Sequence, residues 1–388
     1  MGAAYHEHRP LRYAATMRHA AISVVLATVG VAHAAPWTVT LEGGGEADTN
    51  VQRVETGPGI DTTRIGAGVL LVGGKLGHKN TLAGGAYGLM LSTLSRVVAD
   101  PATSTENVTL VTADARYLRP IEARPVSLGV AVLAADALPI TEAVGARTFR
   151  NLGADALLSL DGGEVTTLSF AAGARSFTYK VDRQFDWVGP VVSARLDRTL
   201  WQPPGGARSL ELATFAAFED RTYASTALAN ACPAAAPPSD MCSAGTSIER
   251  RDRVSRVGAE ITWTGAIITA AGYQLSVIDS NSYGQSLVRH RATASATTAL
   301  PGGLYGTVLG QLQLDQFPDG LVLKTALNRS EFTSLEDENR SSVQLRIARP
   351  VAGAWSIEGR GAIWRNLGND VQASFRRASL YAGLIYTR

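Results

Sequence analysis

The feature that most constrains this chain is an alternation of apolar and polar residues, which recurs in segment after segment from Trp37 onward. Between residues 266 and 279, Ile267 and Val277 belong to an apolar set at odd positions, whereas Gln274 and Ser276 stand at even positions. A period of two is typical of β-strands with one apolar and one polar face. No segment shows a convincing helical periodicity of 3.6 residues. The chain is therefore predicted to be all-β.

The segments between these strands are of two lengths, and short and long ones alternate. The short ones are 76–80, 119–125, 161–164, 264–266, 300–303 and 350–354, and the long ones are 49–63, 99–107, 138–147, 221–251, 279–286, 317–339 and 365–371. Outer-membrane barrels have this asymmetry because their periplasmic turns are short and their extracellular loops long. The pattern predicts a transmembrane, antiparallel, up-and-down β-barrel.

About sixteen strands are predicted, with 14 or 18 as alternatives. Their ranges are 37–48, 64–75, 81–96, 107–118, 126–136, 148–160, 165–180, 186–199, 208–220, 252–263, 266–278, 287–299, 303–316, 340–349, 355–364 and 372–387. Segment 321–335 is placed in a loop, since an odd number of strands would leave the termini on opposite sides. Closure also removes the sheet edges that hydrocarbon does not tolerate.

The composition fits this architecture. Charged residues make up 18% of the chain, below the quarter or so that is usual for soluble domains, and there are 39 glycines. The formal net charge of +2 gives no reason to expect a nucleic-acid partner. After residue 36 no apolar run is long enough for a membrane helix.

The N-terminal residues resemble a secretory signal peptide. Arg12 and Arg18 precede an apolar stretch from residue 20 to 32, and Ala32-His33-Ala34 supplies small residues for cleavage. Residues 1–34 are therefore predicted to be removed, with Met17 as an alternative start, and residues 35–388 to form a single barrel. Export by this route is the basis for predicting an outer-membrane location, with membrane lipid as the immediate partner.

Residues that could carry chemistry are few. Cys232 and Cys242 are predicted to close a small surface loop as a disulfide, since an even pair in an exported chain favours one. The chain has no G-x-S-x-G, H-E-x-x-H or P-loop motif, and after the signal peptide its histidines are His78 and His290. We therefore predict no enzymatic activity, no cofactor and no metal site.

The polar strand faces are predicted to line a lumen. A charged side chain facing lipid at mid-depth costs about 2–4 kcal/mol, so charges within the strands are expected to point inward. The candidates are Asp114, Arg116, Arg195, Asp197, Glu211, Arg256, Glu260, Arg289, Arg291, Arg346, Glu358 and Arg360. They either contact a solute or pair with each other and stiffen the wall.

Aromatic residues near the segment ends suggest interfacial girdles. The set is Trp37, Tyr117, Phe149, Trp187, Trp201, Trp263, Trp355, Trp364 and Tyr386. Tyr305 and Trp364 also fall on predicted inward faces, where they are candidates for stacking on sugar rings.

Three segments of the second half resemble the barrel regions of secreted-polysaccharide exporters and of surface lipoprotein assembly modifiers. These are residues 279–291 (DSNSYGQSLVRHR), 338–350 (ENRSSVQLRIARP) and 355–360 (WSIEGR), with 46–51 (EADTNV) near the start. The resemblance implies a conduit, and we expect one for a secreted polysaccharide that works with periplasmic export proteins. The alternatives are a general diffusion porin for small solutes and a structural or adhesive surface barrel with a closed lumen.

Overall fold

The computed structural model describes residues 37–54, 56, 63–122, 124–141, 147–163, 165–205, 208–233, 243–319, 340–366 and 375–388. In this part of the chain the structure is almost entirely β-sheet. The strands are β1 Trp37–Asp48, β2 Ala67–Leu82, β3 Gly85–Val98, β4 Val108–Pro120, β5 Val126–Pro139, β6 Phe149–Asp161, β7 Thr166–Tyr179, β8 Trp187–Trp201, β9 Ser209–Asn230, β10 Ser243–Thr264, β11 Ile267–Ser280, β12 Leu287–Leu300, β13 Leu304–Gln316, β14 Ser341–Ala352, β15 Trp355–Arg365 and β16 Arg376–Thr387.

Each strand pairs antiparallel with its neighbours in sequence, and β1 pairs with β16, so that the sheet closes into a sixteen-stranded barrel. The closing pair runs from Thr40 opposite Thr387 to Asp48 opposite Ser379. Beyond it, Val39 and Arg388 exchange two backbone hydrogen bonds. The first and last strands therefore begin and end at the same side of the barrel. The predicted fold class and strand number are confirmed.

The connections differ between the two ends of the barrel. At one end, called the turn end here, the strands are joined by residues 83–84, 121–125, 162–165, 202–208, 265–266, 301–303 and 353–354. The other end, the loop end, carries segments 49–66, 99–107, 140–148, 180–186, 231–242, 281–286, 317–340 and 366–375. The loop end is the predicted extracellular side.

Several predicted boundaries need correction. Segment 76–80 is not a turn but belongs to β2, which continues to Leu82 and turns at Ala83 and Gly84, both at positive φ. Glycine adopts that conformation at little cost, and its presence at 84 marks the true turn. Segment 321–335, for which a loop is predicted, lies outside the described residues.

The largest difference concerns β9 and β10, which are 22 residues each and occupy much of the predicted loop 221–251. Crossing a membrane in a tilted strand needs only about 9–11 residues. Both strands are therefore about twice as long as a membrane crossing needs, and their outer halves are not expected to need a lipid-facing side. The apolar alternation is lost there, for example in Arg250-Arg251-Asp252-Arg253, and so the sequence did not indicate a strand.

The two faces of the barrel follow from the register, because residues directly opposite each other on neighbouring strands share a face. The outward face carries the exposed aliphatic side chains, such as Leu70, Val130 and Leu345. The inward face carries the buried arginines and carboxylates. No helix in the described part of the chain is both long and apolar enough to cross a membrane.

The aromatic residues do not all belong to interfacial girdles. Trp201 stacks on Trp263 with 5.6 Å between ring centroids, and Trp355 lies 5.2 Å from Tyr386, both pairs on the outward face at the turn end. Phe149, Trp187 and Trp364, by contrast, are buried on the inward face at the loop end. The girdle interpretation is wrong for these three, because their strand positions are in register with inward residues.

Candidate functional site: the inner wall of the barrel

All twelve sequence-predicted lumen residues occur at inward positions of the register. Asp114 and Arg116 lie on β4; Arg195 and Asp197 on β8; Glu211 on β9; Arg256 and Glu260 on β10; Arg289 and Arg291 on β12; Arg346 on β14; and Glu358 and Arg360 on β15. Whether a solute meets them depends on how each is paired. That these residues contact a solute remains a prediction.

A buried ion cluster lies where β1 and β16 close the barrel, near the loop end. The Asp48 carboxylate accepts hydrogen bonds from Arg96 of β3 at 2.8 Å and from Arg377 of β16 at 3.0 Å. All three side chains are nearly inaccessible, with exposed fractions between 0 and 3%. The Arg377 guanidinium also stacks 4.2 Å from the Trp364 ring. Trp364 is therefore covered and is not available to stack on a sugar, contrary to the sequence-based hypothesis.

A second group of charges continues along the same wall toward the turn end. Glu358 pairs with both Arg346 and Arg360, and Arg360 extends to Glu42 of β1 at 2.8 Å. The Arg360 guanidinium lies 4.6 Å from the ring of Tyr381. The predicted residues Arg346 of β14 and Glu358 and Arg360 of β15 thus form, with Glu42 of β1, one chain of alternating charge that reaches the seam where β1 and β16 close the barrel.

Tyr381 lies flat against the wall because two glycines make room for it. A Cβ at Gly44 would approach the Tyr381 ring to 2.6 Å, and one at Gly383 would approach the phenol oxygen to 2.0 Å. These are distances that side chains do not tolerate, so the ring position requires glycine at both sites. The flat ring in turn supports Arg360.

The opposite wall, from β6 to β10, has further ion pairs. Arg175 binds both carboxylate oxygens of Asp155 at 2.6–2.7 Å, in the fork geometry that makes arginine–carboxylate pairs strong. Arg195 pairs in the same way with Asp197 of its own strand, at 2.7–2.9 Å. Each of these pairs lies along the wall, so it neutralises charge without crossing the lumen.

Glu219 is the centre of a third cluster on this wall. It accepts from Arg221 at 2.8 Å and from Arg256 at 3.4 Å. Arg221 is also 4.5 Å from the ring of Trp187. Arg256, a predicted lumen residue, therefore belongs to a buried cluster whose central acid was absent from the sequence-based set.

On β12 and β13 the predicted arginines are again paired. Arg289 binds Asp315 directly across the strand pair at 2.8 and 2.9 Å, and Arg291 donates to the amide oxygen of Gln313 at 3.0 Å. Both arginines are buried, with exposed fractions of 5% and 8%. The interpretation that such residues pair and stiffen the wall fits these contacts.

A smaller set of charged side chains remains open to solvent. Within the described part of the chain, no ion pair involves Lys75 of β2, Asp114, Glu211 or Glu260. Glu211 accepts only a hydroxyl hydrogen bond from Ser209 at 3.1 Å. These four groups are among the inward charges that a passing solute meets without breaking an ion pair of the wall.

The inner wall also carries an apolar cluster near the loop end of β4 to β9. It contains Val108, Leu110, Ala135, Ala137, Phe149, Phe177, Tyr179, Phe185, Trp187 and Tyr223. Phe177 stacks between Phe149 and Trp187, at centroid distances of 5.8 and 6.1 Å. Because these side chains point inward and are almost fully buried, they thicken the wall on this side and reduce the open cross-section.

Sequence reasoning missed Asp48, Arg96, Glu219, Arg221 and Arg377, which form the most buried clusters. A signal was present for two of them, since Asp48 and Arg96 stand at the polar positions of alternating segments. They were omitted because they lie at strand ends, where the sequence does not distinguish a lumen residue from a loop residue.

The histidines and cysteines give no catalytic arrangement in the described residues. His78 and His290 lie on the outward face, where they hydrogen-bond the hydroxyls of Tyr87 at 2.9 Å and Tyr273 at 2.7 Å. No group of metal-binding side chains occurs among the described residues. Cys232 is disulfide-bonded, and Cys242 lies outside the described residues, so the proposed pairing stays a prediction.

Comparison with known proteins gives no family model that matches this chain, and no curated protein matches it either. Solved structures do match. The crystal structure of Acinetobacter baumannii OccAB1 shares 10% identity at a TM-score of 0.45, over 90% of this chain and 96% of that one. The TodX monoaromatic hydrocarbon channel (deltaS2 mutant) shares 9% identity at 0.39, over 90% and 89%. Pseudomonas aeruginosa OccK2 (OpdF) in complex with glucuronate shares 11% identity at 0.38, over 91% and 95%.

These findings correct the expectation that the chain exports a secreted polysaccharide. These three structures, which are among many that match, are described as OccAB1, a monoaromatic hydrocarbon channel and a complex with glucuronate, and none of the three as a polysaccharide exporter or a lipoprotein assembly modifier. The described strand residues of the segments that suggested the resemblance belong to the wall. Arg289 and Arg291 are used in pairs between β12 and β13, and Arg360 in the chain with Glu358. The polysaccharide interpretation is wrong, because common strand-pairing residues had been taken for a functional motif.

Proposed function

We propose that this chain forms a passive channel through the outer membrane for small polar solutes. The observation that carries the proposal is the inner wall, in which most charged side chains pair with partners on the same or an adjacent strand. Such pairs coat the wall and do not bridge the lumen. A barrel built to be closed by its own side chains would instead need groups that meet across its axis.

The size of the barrel supports this proposal. Sixteen strands spaced by about 4.8 Å and tilted by about 40° have a backbone radius of roughly 16 Å. Side chains that lie flat against such a wall leave a central space. The apolar cluster near the loop end of β4 to β9 takes up part of it. A restricted but water-filled passage suits small solutes.

The nature of the solute follows from the unpaired inward charges. Lys75 supplies a positive charge, and Asp114, Glu211 and Glu260 supply negative ones, on a wall where many other charges are neutralised in pairs. Charged and hydrogen-bonding groups exposed to water favour polar solutes over hydrocarbons. Because both signs are present, we expect only modest discrimination between cations and anions.

Reconstitution in a planar bilayer tests the proposal. The folded protein should give discrete conductance steps, and liposomes that contain it should swell at rates that fall as the test sugar grows from mono- to trisaccharide. Glu211→Gln and Glu260→Gln together should shift ion selectivity toward anions, whereas Asn151→Gln, a neutral inward change, serves as the matched control. The absence of any conductance from correctly folded protein would refute the proposal.

One observation favours a second candidate, a surface protein with a closed lumen. The β9–β10 hairpin reaches about ten residues beyond the part of each strand that a membrane crossing needs. A folded barrel without conductance, whose cells lose surface attachment when residues 224–249 are shortened, would favour this alternative.

A further inference from the structure

On the outward face of the barrel, aromatic residues at the turn end and arginines at the loop end are separated by the same number of residues on three strands. On β10, β15 and β16, the residues Trp263, Trp355 and Tyr386 stand at the turn end of the outward face. Ten residues along the same strands, the outward positions are occupied by Arg253, Arg365 and Arg376. Ten residues of a strand cover about 33 Å, and a tilt of about 40° reduces this to about 25 Å across the membrane.

That distance equals the height of the apolar band of an outer-membrane barrel, which is about 25 Å. Between the two borders the outward residues of β15 and β16 are aliphatic or small. Ile363, the next outward residue below Arg365, and Leu380, the second outward residue below Arg376, are 65% and 68% exposed, the highest values among the large apolar residues described. The arginines therefore lie where the hydrocarbon of the loop-end leaflet meets its headgroups.

Two other arginines of the outward face near the loop end, Arg150 and Arg253, stand opposite an acid on a neighbouring strand. Arg150 stands directly opposite Asp136 and binds it at 2.7–2.8 Å. Arg253 stands between Asp220 on one neighbouring strand and Asp279 on the other. Their charge is balanced within the protein.

Arg365 and Arg376 are different, because they stand directly opposite each other on β15 and β16. Like charges in that relation repel and destabilise a sheet. The strand on the other side of Arg365 offers Ser341, and no described side chain forms an ion pair or hydrogen bond with either guanidinium. Both side chains are exposed on the outward face. An anion held between them from outside the protein removes the repulsion.

We propose that Arg365 and Arg376 form a binding site for a lipid phosphate of the outer leaflet. Two guanidinium groups on directly opposed residues have the spacing to bind one phosphate with several charge-assisted hydrogen bonds. The position at the upper border of the apolar band favours a phosphate attached to acyl chains, because those chains then pack on Ile363 and Leu380. The site is on the outside of the barrel and is independent of what passes through the lumen.

The test measures the temperature at which the detergent-resistant folded form is lost. Purified protein is heated in mixed micelles that contain diphosphorylated lipid A, dephosphorylated lipid A, or detergent with inorganic phosphate at the same phosphorus concentration. We expect the diphosphorylated lipid to raise the midpoint by several degrees, and the other two conditions to leave it unchanged. The double variant Arg365→Gln, Arg376→Gln should lose this shift.

Arg349→Gln is the matched control, since Arg349 lies on the same outward face but at the turn end of β14, and it should keep the full shift. If the double glutamine variant does not fold, Arg365→Lys with Arg376→Lys keeps both charges and should retain part of the shift. A shift that persists in the double glutamine variant would overturn the proposal. So would equal protection by inorganic phosphate, or the absence of a shift in the unaltered protein.

Discussion

Replacing Asp48 with asparagine tests whether the buried ion cluster near the β1–β16 pair stabilises the closed barrel. Asp48 neutralises Arg96 and Arg377, and all three side chains are excluded from solvent. Asparagine has the same shape and keeps one oxygen for the Asn50 backbone N–H, which donates to Asp48 at 2.9 Å. The change removes the charge and places an amide NH2 where Oδ2 accepted hydrogen bonds from Arg96 and Arg377, so both contacts are lost with it.

The expected magnitude follows from burial. Breaking a buried ion pair by removing one partner costs about 3–5 kcal/mol, since the remaining charge is left uncompensated. Arg96 keeps the carbonyl of Val51 at 3.2 Å, and Arg377 keeps Glu46 at 3.4 Å and the Trp364 ring. These remaining contacts place the expected cost at the lower end of the range, about 3 kcal/mol.

Asp197→Asn is the comparison that isolates burial as the cause. Asp197 makes an equally short pair with Arg195, but the two side chains are 36% and 18% exposed. Pairs in contact with water contribute about 0–1 kcal/mol. Urea unfolding in detergent, followed by loss of the heat-modifiable form, should separate the two variants by at least about 2 kcal/mol. Equal losses for both variants would refute the argument that burial gives the seam cluster its strength.

Three further outcomes are expected. Gly44→Val should destabilise the folded barrel by about 1–3 kcal/mol in the same urea assay, because a Cβ at this position meets the Tyr381 ring. Gly43→Val is the control and should be tolerated, since a Cβ at Gly43 meets nothing within 4 Å. Leu345→Arg should reduce insertion by about 2–4 kcal/mol, measured as the fraction of heat-modifiable protein, because Leu345 is an outward, lipid-facing residue. A cysteine at Gly284, in a loop-end segment, should react with an impermeant thiol reagent on intact cells, and one at the turn-end residue Gly302 should not; the reverse pattern would invert the orientation.

The sequence predicted the architecture well because the signal that specifies it is local. Apolar and polar residues alternate within each segment of about ten residues. The number of strands, their antiparallel order and the face on which each side chain lies could therefore be predicted without knowing which residues pair across strands. The outward Val343, Leu345 and Ile347 of β14, and the inward Arg346 between them, illustrate this. The failures occurred where that signal fades, at the protruding ends of β9 and β10.

The pairing between different strands of the inner wall could not be predicted in the same way, because those partners are far apart in sequence. Asp48 and Arg377 are separated by 329 positions and Asp48 and Arg96 by 48. The sequence shows which residues face inward but not the stagger between strands, and a shift of two residues would change the acid opposite an arginine such as Arg289, which pairs across strands. The facing of Trp187 and Trp364 was missed for a related reason, since aromatic residues at strand ends occur on both faces.

Ion pairing along the inner wall should affect the ion selectivity of the channel. Where an inward arginine is held by a carboxylate on its own or a neighbouring strand, as in Arg195–Asp197 and Arg289–Asp315, the field of the pair falls off quickly toward the axis. A solute near the axis is then affected mainly by the few unpaired groups. Of these, Glu211 and Glu260 both lie close to the turn end. Weak preference between ions should therefore arise at the turn end of the channel, while the apolar cluster near the loop end sets the size limit.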